Sequence, residues 1–157
     1  MSGAGAPAEA PLDASGVRLA IVATRWYEHI TDALLADALG AAADCKVADP
    51  TVLRVPGAFE LPVVCASLTA RHDAVVALGL VLRGDTPHFE YVCSATSHAL
   101  ADLAIRTGVP VGFGLLTCDN AEQAQARSGL PGSAERKGRE ATLAALETAL
   151  MLRALPT

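Results

Sequence analysis

The chain has 157 residues, 52% of them hydrophobic and 18% charged, with a formal net charge of −5. That length suits one domain with a single core, and the composition excludes a disordered polyampholyte. The acidic balance argues against nucleic-acid binding, because no cationic excess displaces counterions, and no apolar run is long enough to cross a bilayer.

Residues 1–16 (MSGAGAPAEAPLDASG) are rich in Ala, Pro and Gly and lack the basic and apolar regions of a secretory signal. A flexible tail ahead of one domain over 17–157 is therefore expected. Val17 to Thr24 (VRLAIVAT) is a short apolar run suited to a buried strand. From Tyr27 to about Ala43, Ile30, Leu34, Ala38 and Ala41 recur at helical spacing. Thr51 to Val55 reads as a second strand, stopped by Pro56-Gly57. A helix follows, with Leu61, Val64, Cys65 and Leu68 on one face and Pro62 in its first turn. Ala74 to Leu82 (AVVALGLVL) is continuously apolar, as a parallel strand covered on both faces should be.

Thr86-Pro87 reads as an N-cap followed by Pro at the first helical position, opening a helix to about Arg106. Val109 to Thr117 is a fourth strand, Asn120 to Arg127 a short helix, and Ala134 to about Leu152 a final one. Strands alternating with helices imply right-handed crossovers and a parallel sheet between helical layers, an α/β domain. The four cysteines (Cys45, Cys65, Cys93, Cys118) are unevenly spaced with no CxxC, so packed, reduced thiols in a cytoplasmic protein are expected.

In open α/β sheets ligands gather beyond the carboxyl ends of the strands. The segments leaving those ends are Arg25-Trp26, Pro56 to Glu60, and Arg83 to His88, which hold the only Trp, one of three Phe and a His. Taken singly, each has a bland reading: a Trp plugging a core, a PG turn, a structural helix histidine. Their convergence on one edge favours a site. Gly84, Asp85 and Thr86 lead into a helix N-terminus, whose amides favour an anion such as phosphate. No Lys lies in that loop, so Arg127, ending the short helix before Ser128-Gly129, is a candidate to complete the clamp from a neighbouring subunit. His88 would stand beside the anion with a side chain able to move protons near neutrality. There is no Gly-x-Gly-x-x-Gly turn, Walker lysine loop, GxSxG elbow or metal-ligand spacing. Chemistry by positioning and proton transfer is the expectation.

On these residues the chain resembles the lumazine synthase family. The resemblance rests on VPGAFELP (Val55–Pro62), ALGLVLRGDTPHFEYV (Ala77–Val92), GVPVGFGLLT (Gly108–Thr117), EQAQAR (Glu122–Arg127) and KGREA (Lys137–Ala141), in order along nearly the whole chain. It implies a flavodoxin-like three-layer α/β/α sandwich around a four-stranded parallel sheet, assembled as homopentamers that in some members build icosahedral shells. It also implies a reaction without cofactor or metal. The 5-amino group of 5-amino-6-(D-ribitylamino)uracil attacks the ketone of 3,4-dihydroxy-2-butanone 4-phosphate, phosphate is eliminated, and ring closure with loss of water gives 6,7-dimethyl-8-ribityllumazine.

Position by position, the resemblance makes Trp26 the ring that stacks on the pyrimidine. Ala58, Phe59 and Glu60 become contacts to the ribityl chain, and Leu80, Val81 and Leu82 the strand end that reads the uracil edge. Gly84, Asp85 and Thr86 fall on the phosphate loop and His88 on the proton shuttle. Phe113, Arg127 and Lys137 are implied to come from the adjacent subunit, as a ring near the ribityl end, the phosphate clamp and a basic contact. Where some actinobacterial members carry Asn, this chain has Phe113, which removes a side-chain hydrogen bond. The segment RSGLPGSAERK (127–137) is about two residues longer than in shell-forming members, which points to a free pentamer. Two other readings compete: a non-catalytic flavin-binding or shell-forming relative, and an unrelated flavodoxin-like FMN protein or response regulator. Stacking a flavin needs Trp26 but no phosphate clamp, and a regulator needs acidic residues where Thr24-Arg25-Trp26 stand.

Overall fold

A computed structural model describes residues 12–156. In chain order it contains β1 (Leu19–Thr24), α1 (Glu28–Asp44), β2 (Thr51–Val55), α2 (Leu61–Leu68), β3 (Ala74–Leu82), α3 (His88–Thr107), β4 (Val111–Cys118), α4 (Ala121–Gln125) and α5 (Lys137–Arg153), with a 3-10 turn over Ala58–Glu60 leading into α2. The strands form one sheet in the order β2-β1-β3-β4, and every pairing is parallel. This is the parallel α/β sandwich that the alternating pattern implied, in the flavodoxin-like arrangement implied by the resemblance. β1 is buried along its whole length, because helices cover both faces of the sheet.

Alternation along each strand divides the core in two. Leu19, Ile21, Val76 and Leu78 face one layer with Leu34 of α1 and Leu146 of α5. Ala20, Val22, Val75 and Leu115 face the other with Leu61 and Cys65 of α2 and Leu100 of α3. Burial pushes the Cys65 thiol up to about 12, and Cys65, Cys93 and Cys118 are free thiols. Small residues bring α5 close: a Cβ at Gly112 would lie 2.3 Å from the Ala141 carbonyl oxygen, and one at Gly138 would lie 2.1 Å from that of Leu34.

Several boundaries differ from the sequence reading. The tail expected over 1–16 lies outside the described residues as far as residue 11. Residues 12–16 pack on the domain, with Ala14 fully buried and its amide donating to Cys45 at 2.8 Å. Pro87, not Thr86, is the N-cap of α3: its carbonyl accepts from the amides of Glu90 and Tyr91 at 3.1 and 3.4 Å, which makes His88 the first helical residue. The last helix begins at Lys137 instead of Ala134, because 135–137 turn back to pair with 126–128. No helix among the described residues is long and apolar enough to cross a membrane.

Candidate functional site

The crevice sits where β1 and β3 part. β3 stays paired with β4 to Leu82↔Cys118, whereas its pairing with β1 ends at Ala23↔Leu78. Backbone groups of Gly79 to Leu82 on the β1 side thus have no strand to pair with. A ligand edge can take those free amides and carbonyls, at the point where the connections from β1 and β3 leave in opposite directions. Leu80 is buried and Val81 and Leu82 are half-buried, so backbone rather than side chain is what this strand end offers. At the crevice floor Thr24 is fully buried, and its Oγ1 has no hydrogen-bond partner among the described residues.

Trp26 follows directly, and the turn that aims it is unusual. Tyr27 is left-handed (φ 57°), and its carbonyl accepts the amides of Ile30 and Thr31 to start α1. Such a conformation costs a bulky residue about 1–2 kcal/mol. The Trp26 indole is 65% exposed, with one edge against Gly57: a Cβ built there would meet its Cδ1 at 3.5 Å and Nε1 at 3.6 Å. Glu60 folds back to accept the Gly57 amide at 2.9 Å, which locks the 3-10 turn. Ala58 is buried beneath, and Phe59 projects outward, 64% exposed. Large apolar rings left this open at a strand edge are not core plugs.

The Arg83 to His88 loop closes the other side. Arg83 heads this loop, and its charge is committed within the fold. Its Nε donates to Asp119 at 2.7 Å, its Nη1 to Glu90, and its guanidinium lies 4.2 Å from the Phe89 ring centre. These carboxylates hold the Arg83 pKa above its ordinary value, and Arg83 in turn lowers theirs. Arg83 therefore pins the loop. Beyond it, Gly84, Asp85, Thr86 and His88 are exposed, and among the described residues no protein acceptor meets the amides of Gly84, Asp85, Thr86, His88 or Phe89. A Cβ at Gly84 would meet nothing within 4 Å, so open space rather than backbone strain surrounds it.

The remaining candidates lie apart from this rim. Phe113 pairs with Ala77, five residues before Leu82, or roughly 16 Å along the strand. It is 47% exposed and borders an apolar groove of about 340 Å³ with Ser97, Leu100, Ala101, Ala104 and Val111. Arg127 makes no polar contact with Gly84 to Thr86 of its own chain among the described residues. Its Nη1 donates to the Gln123 carbonyl at 2.9 Å, and its Nε lies 3.7 Å from Glu135. Lys137, the expected basic contact to an adjacent subunit's site, lies between Glu135 at 2.5 Å and Glu140 at 2.6 Å, with its side chain 14% exposed. Burial opposes its charge, but the two carboxylates more than offset this and hold its pKa above the usual lysine value. Reading the sequence missed Thr24, the pinning role of Arg83, and Glu135. The only signal for the last was its period-2 spacing from Lys137.

Comparison with known proteins agrees with this architecture. The family model described as 6,7-dimethyl-8-ribityllumazine synthase matches residues 16–153. A 6,7-dimethyl-8-ribityllumazine synthase from Frankia casuarinae is 64% identical over 156 residues, covering 99% of this chain and 98% of that protein. Proteins of the same name from Thermobifida fusca and Renibacterium salmoninarum are 59% and 58% identical, covering 99% and 98% of this chain and 91% and 100% of their own lengths. An α/β crevice with the expected open rings and free amides, matched along nearly its whole length by these relatives, places the chain in the 6,7-dimethyl-8-ribityllumazine synthase family.

Proposed function

We propose that this chain catalyses the condensation of 5-amino-6-(D-ribitylamino)uracil with 3,4-dihydroxy-2-butanone 4-phosphate to 6,7-dimethyl-8-ribityllumazine, phosphate and water, in the cytoplasm. The observation that carries the reading is the crevice itself: an open indole on one wall, unpaired β3 backbone on the other, and free amides at the start of α3. Trp26 stacks on the pyrimidine while the backbone of Leu80 to Leu82 reads its edge. Ala58, Phe59 and Glu60 face the ribityl chain. The amides from Gly84 to Thr86 take the phosphate at the N-terminus of a 20-residue helix, where the dipole favours an anion.

With both substrates held, the amine meets the ketone without the entropic cost of free encounter, which for well-oriented pairs is worth roughly 7–11 kcal/mol. His88, in the first turn of α3 and beside the phosphate, is placed to pass protons among the amine, the carbinol and the departing phosphate. General acid–base transfer of this kind contributes on the order of 10²–10⁴-fold.

The proposed active unit is a homopentamer. Phe113 cannot reach the rim of its own chain, and Arg127 does not touch its own phosphate loop, so both serve the site of the adjacent subunit. The apolar groove beside Phe113 is the face that a neighbour would cover. Lys137 lies on that contributed segment.

Mixing the purified protein with both substrates and following the product by absorbance tests the activity; no product above the uncatalysed rate would overturn it. Trp26→Ala should raise the KM for the ribitylaminouracil by about tenfold to a hundredfold, the equivalent of one lost base–aromatic stack. Its thermal stability should change little, because the ring buries little of itself. An unchanged KM would remove Trp26 from the site.

A further inference from the structure

The segment after α4 is a short antiparallel ribbon, and its register decides what Arg127 can do. The Glu135 amide donates to the Ala126 carbonyl at 2.9 Å, the Lys137 amide to the Arg127 carbonyl at 3.0 Å, and Ser128 bridges Arg136. Side chains two apart on such a ribbon share a face. Arg127, Glu135 and Lys137 therefore stand together, while Arg136 goes to the other side and pairs with the buried Asp37 of α1. On the shared face Glu135 holds Lys137 at 2.5 Å and reaches within 3.7 Å of the Arg127 Nε, and Glu140 holds Lys137 from the far side at 2.6 Å. Two cations and two carboxylates cancel. The cluster has no net charge to give an incoming anion.

We infer that Glu135 is a built-in competitor of phosphate at Arg127, a positioning residue that limits how tightly the clamp holds its anion. The inference rests on the reading of Arg127 as that clamp. An arginine donates through five N–H groups. One arm is spent on Gln123, and the Nε side faces Glu135 loosely, leaving part of the fork for a ligand. A phosphate arriving there meets a carboxylate already beside the same guanidinium, and like charges at such separations repel by several-fold in affinity even with strong screening. The arrangement suits a reaction that expels phosphate. A clamp made of two uncompensated cations would retain the product that must leave before the next turnover. Glu135 is 17% exposed and anchored by Lys137, so it cannot swing aside without breaking a short ion pair.

The sign of the expected effect separates this role from a merely structural one. With inorganic phosphate as the inhibitor at fixed pH and ionic strength, Glu135→Gln should lower the inhibition constant about three- to tenfold. The KM for the butanone phosphate should fall with it, and kcat should not rise. Glu135→Asp keeps the charge but draws it back from Arg127, and it should move both constants the same way by a smaller factor. This variant decides the matter if the Gln substitution does not fold. Loss of a structural brace would instead weaken phosphate binding, so unchanged or raised constants in the folded variants overturn the inference. Arg127→Ala in the same assay tests the underlying reading by itself. If it leaves phosphate inhibition untouched, Arg127 is not the clamp and the proposal falls with it. If it weakens inhibition while the Glu135 variants do nothing, only the role given to Glu135 fails.

Discussion

Arg127→Ala is expected to raise the KM for 3,4-dihydroxy-2-butanone 4-phosphate by about 10²-fold, with a smaller change in kcat. Guanidinium recognises phosphate through paired, charge-assisted hydrogen bonds, each worth roughly 1.5–3 kcal/mol, and about 1.4 kcal/mol is a factor of ten. The phosphate is not the atom under attack in the first step, so this binding is shared by ground state and transition state, and its loss appears mainly in KM. The amides of Gly84 to Thr86 remain in the variant and hold the residual affinity. Arg127→Lys should recover only part of the loss, because a point charge does not reproduce the fork. Steady-state kinetics at saturating ribitylaminouracil measure the effect, with light scattering on the same samples. An unchanged KM together with a broken assembly would make Arg127 an interface residue and nothing more.

The fold was legible because β1 and β3 are short apolar runs and the segments after β1 and β2 repeat at helical spacing. The run AVVALGLVL is buried on both faces from Ala74 to Leu80, as an inner parallel strand requires. The rim of the site was legible for the same reason: once the strand ends are known, Trp26, the Gly57–Glu60 turn and the Gly84–His88 loop must lie at one edge. What stayed hidden depends on register and on charge pairing. Thr86 has the residue type of an N-cap, yet the chain places the Pro87 carbonyl there, a shift of one residue that makes His88 the first helical residue instead of the second. Nothing near Arg83 in the sequence says that Asp119, 36 residues away, pairs with it. Lys137 reads as a free cation until the ribbon folds Glu135 back against it. Nor does any local pattern say that Tyr27 is left-handed, since the φ is imposed by the need to turn from a buried strand into α1 within a few residues.

The largest stability loss is expected at Gly138, where α5 starts. A Cβ built there would stand 2.1 Å from the Leu34 carbonyl oxygen, 2.9 Å from its carbonyl carbon and 3.1 Å from its Cα. All three atoms are backbone of α1, so no side chain can rotate away and the two helices must separate. Overpacking of this kind costs typically 1–3 kcal/mol and more where the obstacle is rigid. For a chain of this size each kcal/mol shifts the melting temperature by about 2–4 °C. Gly138→Ala should thus lower Tm by roughly 5–10 °C, and Gly138→Val should give little soluble protein. Gly40 of α1 is the control, because a Cβ there meets nothing within 4 Å, and Gly40→Ala should be neutral or stabilise by up to about 1 kcal/mol through helix propensity. Thermal unfolding followed by circular dichroism reads both. The consequence also reaches the site. Gly138 follows Lys137 directly, and the Arg139 amide donates to Asp37 of α1 at 3.3 Å, so a wedge between the helices lifts the end of the ribbon that carries Glu135 and Lys137 away from α1. Folded Gly138→Ala protein should therefore show a changed inhibition constant for inorganic phosphate, whereas Gly40→Ala should not. A Gly138→Ala variant with unaltered Tm would mean that the α1–α5 contact yields without cost, and the close approach of these helices would then not be what fixes the clamp.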